Sequence, residues 1–385
     1  MWKILKLSNV CSINNGGTPN SKNKSYWGNE IKWLTPKDMG KLTSRFVLKT
    51  ERQITQEGLA QSSAKLVPEK SVILSCRAPI GHLAINEVAM SFNQGCKGLI
   101  PNEKITTEFL YYFLLSSKKL LNDLGKGTTF KEISAKTLSN VTISIPPLTV
   151  QQRIVDKLDA TFAEINKAAE ITENKYIELN NLLNSYMKRK FNSKEFKSYS
   201  LGEVCNFEGG SQPPKSVFEY EKNKHNIRLI QIRDYKSDNH IVYIPKDNAR
   251  RRCSTTDTMI GRYGPPIFQI LRGIEGAYNV ALMKAVPKDG ILNDYLFYFL
   301  KNPKIQNFVI KQSMRAAGQS GVNKDALEPY KIHLPPIGVQ KKIIEEAVLF
   351  ERHVLKTQSV YQRKISNLHR LKSALLEQEL QSEAA

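Results

Sequence analysis

The side chains of this chain that could perform covalent chemistry are scattered and lack catalytic spacing. An adenine methyltransferase needs Asn or Asp before a Pro-Pro pair and an aromatic residue after it, so that a flipped base is bonded and stacked. The four Pro-Pro pairs, at 146–147, 213–214, 265–266 and 335–336, have neither neighbour. No GxxxxGKS/T phosphate loop occurs, and the six histidines lack metal-ligand spacing. The sequence predicts no active site, no metal centre and no cofactor.

A second set of residues is suited to binding nucleic acid. Base edges are recognised by side chains with paired donors and acceptors on exposed loops, whereas phosphates are held by Lys, Arg and backbone N–H groups. The candidate nucleic-acid-binding residues are Asn15, Thr18, Lys22, Lys24, Tyr26, Lys37, Arg77, Lys126, Thr128, Thr129, Gln212, Lys215, Arg233, Arg250, Arg251, Arg252, Arg262, Tyr263, Arg315, Gln319 and Ser320. Structural turns, intradomain ion pairs for Lys37 and Arg233, and a solvated basic turn at 250–252 are the alternative interpretations.

The charge of the whole chain supports a polyanionic partner. Lys and Arg number 57 against 36 Asp and Glu, which gives a net charge of +21. Nucleic acid is the common partner at such a charge, although an ordinary basic protein would share it. No apolar run reaches the roughly 18 residues that span a bilayer, and the start lacks a signal peptide. Five scattered cysteines without a CxxC pair are typical of free thiols. We expect a cytoplasmic protein with no membrane partner.

The segments that must position these loops occur twice. Residues 7–11, 108–114 and 145–151 recur in the same order at 201–205, 294–300 and 334–340. The separation is far longer than the 20–50 residues of stacked repeats. The sequence therefore predicts a two-fold duplication and a function that one chain carries out twice.

Each copy combines a mixed segment with a helical one. In residues 1–147 and 196–336, short β-branched runs divided by Gly, Pro and Asn predict strands and turns. Each also has one aromatic-rich helix, whose spacing favours core packing. Residues 148–192 and 337–381 have apolar residues near heptad spacing, which is typical of helices that pack on another helix. The predicted fold is α+β: two similar globular domains separated by two long antiparallel coiled-coil helices, in a pseudo-two-fold dumb-bell.

The starts of the two long helices present similar side chains. The candidate protein-partner residues, expected on exposed faces, are Gln151, Gln152, Arg153, Gln340, Lys341 and Lys342. Because the same geometry is expected twice, two copies of a partner are the predicted stoichiometry.

Specific motifs add a family resemblance to this pattern. Gly16-Gly17-Thr18-Pro19, followed by Tyr26-Trp27-Gly28 and Ile31–Thr35, resembles the opening of the target recognition domains of type I restriction-modification specificity subunits. The Pro-Pro-Leu/Ile-x-x-Gln segments at 146–151 and 335–340 are similar to the conserved regions of that family. The resemblance covers nearly the whole chain, although the second copy has Gly-Gly-Ser-Gln-Pro and lacks Tyr-Trp-Gly.

The resemblance implies a non-catalytic prokaryotic subunit that recognises a bipartite sequence in double-stranded DNA. Residues 1–147 and 196–336 would be its target recognition domains, and the helices would scaffold partners. Those partners would be two modification (adenine methyltransferase) subunits and restriction subunits with ATP-dependent nuclease and translocase activity. A stand-alone repressor or DNA-bridging protein of the same shape is the alternative. A fused methyltransferase-nuclease is disfavoured because its motifs are missing.

Overall fold

The computed structural model describes residues 2–126, 131–315 and 321–381. The chain divides into two compact units, one of residues 1–172 with 363–385 and the other of residues 173–362. None of the described helices is both long and apolar enough to cross a membrane.

The first unit contains three sheets and the start of a long helix. Its strands are β1 (Lys3–Lys6), β2 (Cys11–Asn15), β3 (Trp27–Leu34), β4 (Phe46–Val47), β5 (Arg52–Ile54), β6 (Val72–Ser75), β7 (Leu83–Asn86), β8 (Met90–Phe92), β9 (Cys96–Pro101) and β10 (Thr142–Ile145). Its helices are α1 (Pro36–Met39), α2 (Gln56–Ala60), α3 (Thr107–Ser116), α4 (Lys118–Leu124), α5 (Ala135–Ser139) and α6 (Leu148–Lys190), which continues into the second unit. The sheet orders are β2-β9-β6-β7-β4, β5-β3-β8 and β1-β10.

The second unit repeats this plan. Its strands are β11 (Ser198–Ser200), β12 (Cys205–Gly209), β13 (Asn226–Ile230), β14 (Tyr243–Pro245), β15 (Arg252–Cys253), β16 (Thr258–Gly261), β17 (Gln269–Leu271), β18 (Gly276–Tyr278), β19 (Leu282–Pro287) and β20 (Lys331–His333). Its helices are α7 (Leu201–Val204), α8 (Asn293–Lys301), α9 (Pro303–Arg315), α10 (Lys324–Leu327) and α11 (Ile337–Gln381), which ends in the first unit. The sheet orders are β12-β19-β16-β17, β14-β13-β18-β15 and β11-β20.

The duplication extends to the direction of the strand pairs. β2 and β9 pair antiparallel, as do β12 and β19. β3 and β8 pair parallel, and so do β13 and β18. The predicted α+β fold with two similar domains is confirmed.

Each unit has its own hydrophobic core, into which the aromatic-rich helix packs. Phe109 and Tyr112 of α3 are buried in the first core, and Tyr295 and Phe299 of α8 are buried in the second. The prediction that these aromatics pack in the core is confirmed by their burial.

The long helices lie antiparallel within each unit. In the first unit, Lys157 of α6 contacts Glu379 of α11 at 2.7 Å, and Asn166 contacts Lys372 at 3.0 Å. In the second unit, Gln358 donates to Asn180 at 2.8 Å. Since partners further along α6 lie earlier on α11, the antiparallel pairing expected from the two-fold duplication is confirmed.

Candidate nucleic-acid interface

Three loops of the first unit meet where strands β2 and β6 end and β9 begins, at one edge of its largest sheet. Asn15, the last residue of β2, lies opposite Lys97 of β9. Cys76, which follows β6, donates its N–H to the carbonyl of Gly95 at 2.7 Å, and Arg77 donates to the same oxygen at 3.3 Å. We call this region, residues 15–18, 76–78 and 93–97, the first loop edge. This region brings together Asn15, Thr18 and Arg77, three candidate nucleic-acid-binding residues that are far apart in the sequence.

The glycine pair of the first motif is required by close packing. A Cβ atom on Gly16 would lie 2.0 Å from the carbonyl oxygen of Asn93, and one on Gly17 would lie 2.2 Å from the amide nitrogen of Ala64. Both distances are far below a possible contact, so only glycine allows this backbone approach. The motif therefore builds the turn, and the neighbouring side chains are left to make contacts.

The positive charge at the first loop edge is partly balanced. The Nε of Arg77 lies 2.9 Å from Oε2 of Glu132, and the buried Lys97 ammonium lies 3.8 Å from Oε1. Lys126 is exposed, and its backbone pairs with that of Glu132 at 3.1 and 3.0 Å. Among the described residues, no partner engages the terminal nitrogens of Arg77, which can bind a phosphate or a base, while Glu132 fixes the direction of the side chain. The candidates Thr128 and Thr129 lie outside the described residues.

The remaining candidates of the first unit lie around its three-stranded sheet. Lys22 and Lys24 are exposed in the segment before β3, and Tyr26 is half-buried there. Lys37, in α1, forms an ion pair with Glu51 at 3.2 Å. Hydrogen bonds from Lys37 and Lys41 lower the pKa of Glu51. The intradomain ion pair considered for Lys37 therefore exists, with Glu51 as its partner.

The second unit builds the same edge with other side chains. Gly210 donates its N–H to the carbonyl of Leu282 at 3.0 Å, as Gly16 does to Cys96 at 3.1 Å. Arg262 donates its N–H to the carbonyl of Ala281 at 2.9 Å, in the position that Cys76 has in the first unit. We call this region, residues 209–212, 261–263 and 279–282, the second loop edge. Gln212 and Tyr263 are exposed on it.

The Arg262 side chain is largely engaged within the second unit. Its Nε donates to the carbonyl of Val322 at 3.0 Å, and its Nη1 donates to that of Val280 at 3.2 Å. The guanidinium group therefore braces two loops, so we do not assign it a contact with nucleic acid. The adjacent Tyr263 ring is 41% exposed and takes the position of Arg77 in the repeat.

The three arginines at 250–252 differ in the contacts that their side chains make. Arg252 donates from Nη2 to the carbonyl of Lys246 at 2.8 Å, and Arg251 lies 3.5 Å from Glu208. Arg250 is exposed and has no side-chain hydrogen bond or ion pair within the described part of the chain. Arg250 is therefore the member most available to a phosphate.

Two further candidates of the second unit are exposed cations. Lys215 lies in a short 3₁₀ turn, and Arg233 follows β13. Arg233 forms no ion pair with any of the described residues; the adjacent Asp234 pairs with Arg228 at 3.2 Å. The side chain of Arg315, together with Gln319 and Ser320, lies outside the described residues.

A cavity of about 730 Å³ lies in the second unit beside Arg228, Asp234 and Arg272. Burial raises the pKa of Asp234, although the backbone of Gln231 and the Arg228 guanidinium oppose this. Oδ1 of Asp234 lacks a hydrogen bond, but it is inaccessible to solvent, so a ligand in the cavity would not reach it. Across the described residues, no group of three His, Cys, Asp or Glu side chains is placed to hold a metal ion.

Sequence reasoning missed one exposed residue of the first loop edge. Gln94 lies at the tip of the turn before β9, and the Thr18 hydroxyl donates to its amide oxygen. The signal was present in the sequence, since Phe92-Asn93 in the first copy is echoed by Tyr278-Asn279 in the second.

Comparison with known proteins gives a family match for both copies of the duplicated segment. Residues 1–179 and 193–346 match the family model of the type I restriction modification DNA specificity domain. The chain belongs to this family. Both loop edges lie within the matched specificity-domain segments.

Individual relatives agree with the family match. The specificity subunit of the type I restriction enzyme MjaIX from Methanocaldococcus jannaschii is 30% identical over 252 residues, which are 60% of this chain and 57% of that protein. The HindI specificity subunit of Haemophilus influenzae is 28% identical over 190 residues, which are 48% of this chain and 41% of that protein. The chain thus spans about half the length of the curated relatives it matches.

Solved structures share the fold of this specificity-domain chain. A chain from a study of complex assembly in a type I R-M system has a TM-score of 0.80 at 19% identity, and the match covers 98% of this chain and 97% of that one. The HsdS subunit from Thermoanaerobacter tengcongensis has a TM-score of 0.56 at 18% identity, with 99% and 97% covered.

In each specificity domain, a buried glutamine, Gln151 or Gln340, bonds a loop of the domain to the start of a long helix. The sequence predicts both glutamines on an exposed face. Oε1 of Gln151 accepts the N–H of Thr106 at 2.9 Å, and its Nε2 donates to the carbonyls of Lys104 and Pro146, both at 2.9 Å. Gln340 makes the same three bonds, to the N–H of Leu292 and the carbonyls of Gly290 and Pro335, each at 2.8 Å.

Both glutamine side chains are fully buried. The prediction that Gln151 and Gln340 lie on exposed, partner-facing surfaces is therefore wrong, because each amide satisfies backbone groups of a loop that packs on the helix start. Gln152, Arg153, Lys341 and Lys342 are exposed, as expected.

Proposed function

We propose that this chain is the DNA-recognition subunit of a type I restriction-modification complex in the prokaryotic cytoplasm. It recognises a bipartite sequence in double-stranded DNA, one half with each specificity domain, and is not itself catalytic. The observation that carries the proposal is the pair of loop edges: one backbone arrangement, built twice in one chain, carries different side chains. Two sites of this kind suit a target with two unlike halves.

Within this function, the polar and basic residues that are exposed or half-buried contact DNA. The proposed contacts are Asn15, Thr18, Lys22, Lys24, Tyr26, Lys37, Arg77, Lys126, Gln212, Lys215, Arg233, Arg250, Arg251, Arg252 and Tyr263. The lysines and arginines would bind mainly phosphate, whereas residues on the loop edges would meet base edges. We propose residues 1–147 and 196–336 as the target recognition domains and 148–192 and 337–381 as the helices between them.

The long helices are the proposed docking surface for protein subunits. Each unit leaves apolar side chains of these helices exposed: Ile171 and Leu371 in the first, and Ile177, Leu182, Leu349, Leu355 and Val360 in the second. Exposed apolar residues on a helix are typical of a protein interface. Two modification subunits, and restriction subunits in a complex that cleaves, are the proposed partners. A stand-alone repressor would not need such a surface.

Expression of this chain with a methyltransferase subunit of its own system, in a host without that methylation, tests the proposal. Genome-wide detection of N6-methyladenine should show a split motif of two defined halves around an unspecified gap. The methyltransferase alone should give no such motif. If both proteins are soluble and associated but no new methylation appears, the proposal is refuted and the repressor alternative gains support.

A further inference from the structure

We infer that Gln94 and Val280 are specificity-determining residues, each recognising one base in the half-site of its own domain. This inference rests on the proposed function and deepens it. The backbone has the same hydrogen bonds at both positions, whereas the two side chains differ.

The turn that carries Gln94 is tightly constrained. The N–H of Asn93 donates to the carbonyl of Leu34 at 2.9 Å, and the Asn93 side-chain oxygen accepts the N–H of Gly95 at 2.7 Å. The N–H of Cys96 then closes the turn by donating to the carbonyl of Asn93 at 2.9 Å. These bonds fix residue 94 at the tip, where its side chain is exposed.

The second domain repeats each of these bonds. Asn279 donates its N–H to the carbonyl of Ile230 at 3.1 Å, and its side-chain oxygen accepts the N–H of Ala281 at 3.1 Å. Leu282 donates its N–H to the carbonyl of Asn279 at 3.0 Å. Val280 is therefore held at the same tip, with 40% of its surface exposed.

The neighbours of each tip residue serve the turn itself. Asn93 and Asn279 brace the backbone, while Arg262 donates to the carbonyl of Val280 and holds the second turn in place. Gly95 is buried. On each turn, only the tip residue is exposed. The same backbone bonds hold it in both domains, but its side chain is chemically different in the two. A fixed backbone with a variable exposed tip is the arrangement that direct base recognition requires.

The two tips differ in the chemistry they offer. Gln94 presents an amide, and the Thr18 hydroxyl bonded to its oxygen orients the group. Within the described part of the chain, the amide NH₂ has no hydrogen-bond partner and can donate. A glutamine amide can pair with the N6 and N7 edge of adenine, whereas a small apolar side chain contacts the methyl group of thymine. Gln94 therefore favours adenine in one half-site, and Val280 favours thymine in the other.

The experiment compares Gln94→Val and Val280→Gln with the unaltered chain in the methylation assay. Gln94→Val should change or relax one adenine position in one half of the motif, and Val280→Gln should change one position in the other half. In each variant the untouched half serves as an internal control, and Gln61→Val replaces an exposed glutamine outside the turn. Discrimination is the ratio between the affinity of the purified complex for the original DNA and its affinity for DNA altered at the affected position. In each variant this ratio should fall roughly ten-fold.

The outcomes separate this inference from the proposed function. If the unaltered chain gives no split motif, the proposed function fails, and the inference fails with it. If the unaltered chain gives a motif that both variants leave unchanged, only the inference is overturned. Should Gln94→Val yield no active complex, Gln94→Met keeps the length of the side chain and removes only the amide. An unchanged motif with that variant equally overturns the assignment.

Discussion

Replacing Gln151 with alanine should destabilise the first unit strongly. Gln151→Ala removes the buried amide that joins the start of α6 to the loop at 104–106. One hydrogen bond is fully buried, the one to the carbonyl of Pro146, and the other two are partly buried. A buried polar group left without its partner costs about 1–3 kcal/mol, so the three together should lower the free energy of unfolding by about 3 kcal/mol.

The tryptophans give an assay that follows the first unit alone. All three, at positions 2, 27 and 33, lie in the first unit. Their fluorescence in increasing urea therefore reports the unfolding of that unit. With a urea dependence of about 2 kcal/mol per M, the midpoint should fall by about 1.5 M.

The adjacent residue provides a matched control. Gln152 is exposed, and among the described residues its side chain bonds only to Asp156, so Gln152→Ala should change the free energy of unfolding by no more than about 0.5 kcal/mol. Gln151→Glu keeps the oxygen that accepts the N–H of Thr106, but it places a second carboxylate oxygen against the carbonyl oxygens of Lys104 and Pro146. Burial beside these two carbonyl oxygens, with Thr106 N–H as the donor that is kept, would raise the pKa of that carboxyl group, so its penalty should be smaller at about pH 5 than at about pH 8. Equal midpoints for Gln151→Ala and Gln152→Ala would refute the reasoning.

Three further predictions concern charge, acid and thiols. Arg250→Ala should reduce the slope of log affinity for DNA against log salt by about 1, and an unchanged slope would exclude a phosphate contact. Burial tends to raise the pKa of Asp159, but hydrogen bonds from Arg45 and Tyr112 outweigh it and lower the pKa. Its stabilisation is therefore present above about pH 4 and lost as the pH falls through the lower folded-state value; Asp159→Asn should flatten that acid dependence of tryptophan fluorescence. Burial raises the pKa of all five thiols, so iodoacetamide should label them only after denaturation; rapid labelling of native protein would contradict this.

The sequence was informative where the signal is local or repeated. The duplication, the α+β domains and the antiparallel helices follow from recurring motifs and from heptad spacing, both of which can be recognised without tertiary contacts. The environment of single side chains could not be derived in this way. Gln151 looked like an exposed helix residue because the loop that covers it lies 45 residues earlier. The partners of Arg262, at 280 and 322, lie 18 and 60 residues further along the chain.

The order of the chain has a consequence for synthesis. Leu376 and Leu380 of α11 belong to the core of the first unit, together with Ile154 and Leu158 of α6. Between the two parts of that unit lie about 190 residues of the second one. At about 5–20 residues per second, the ribosome needs roughly 10–40 s to make them. Throughout that interval the nascent first unit lacks its α11 segment, so the apolar stripe on α6 must stay exposed or be shielded by a chaperone until residues 363–381 have been made.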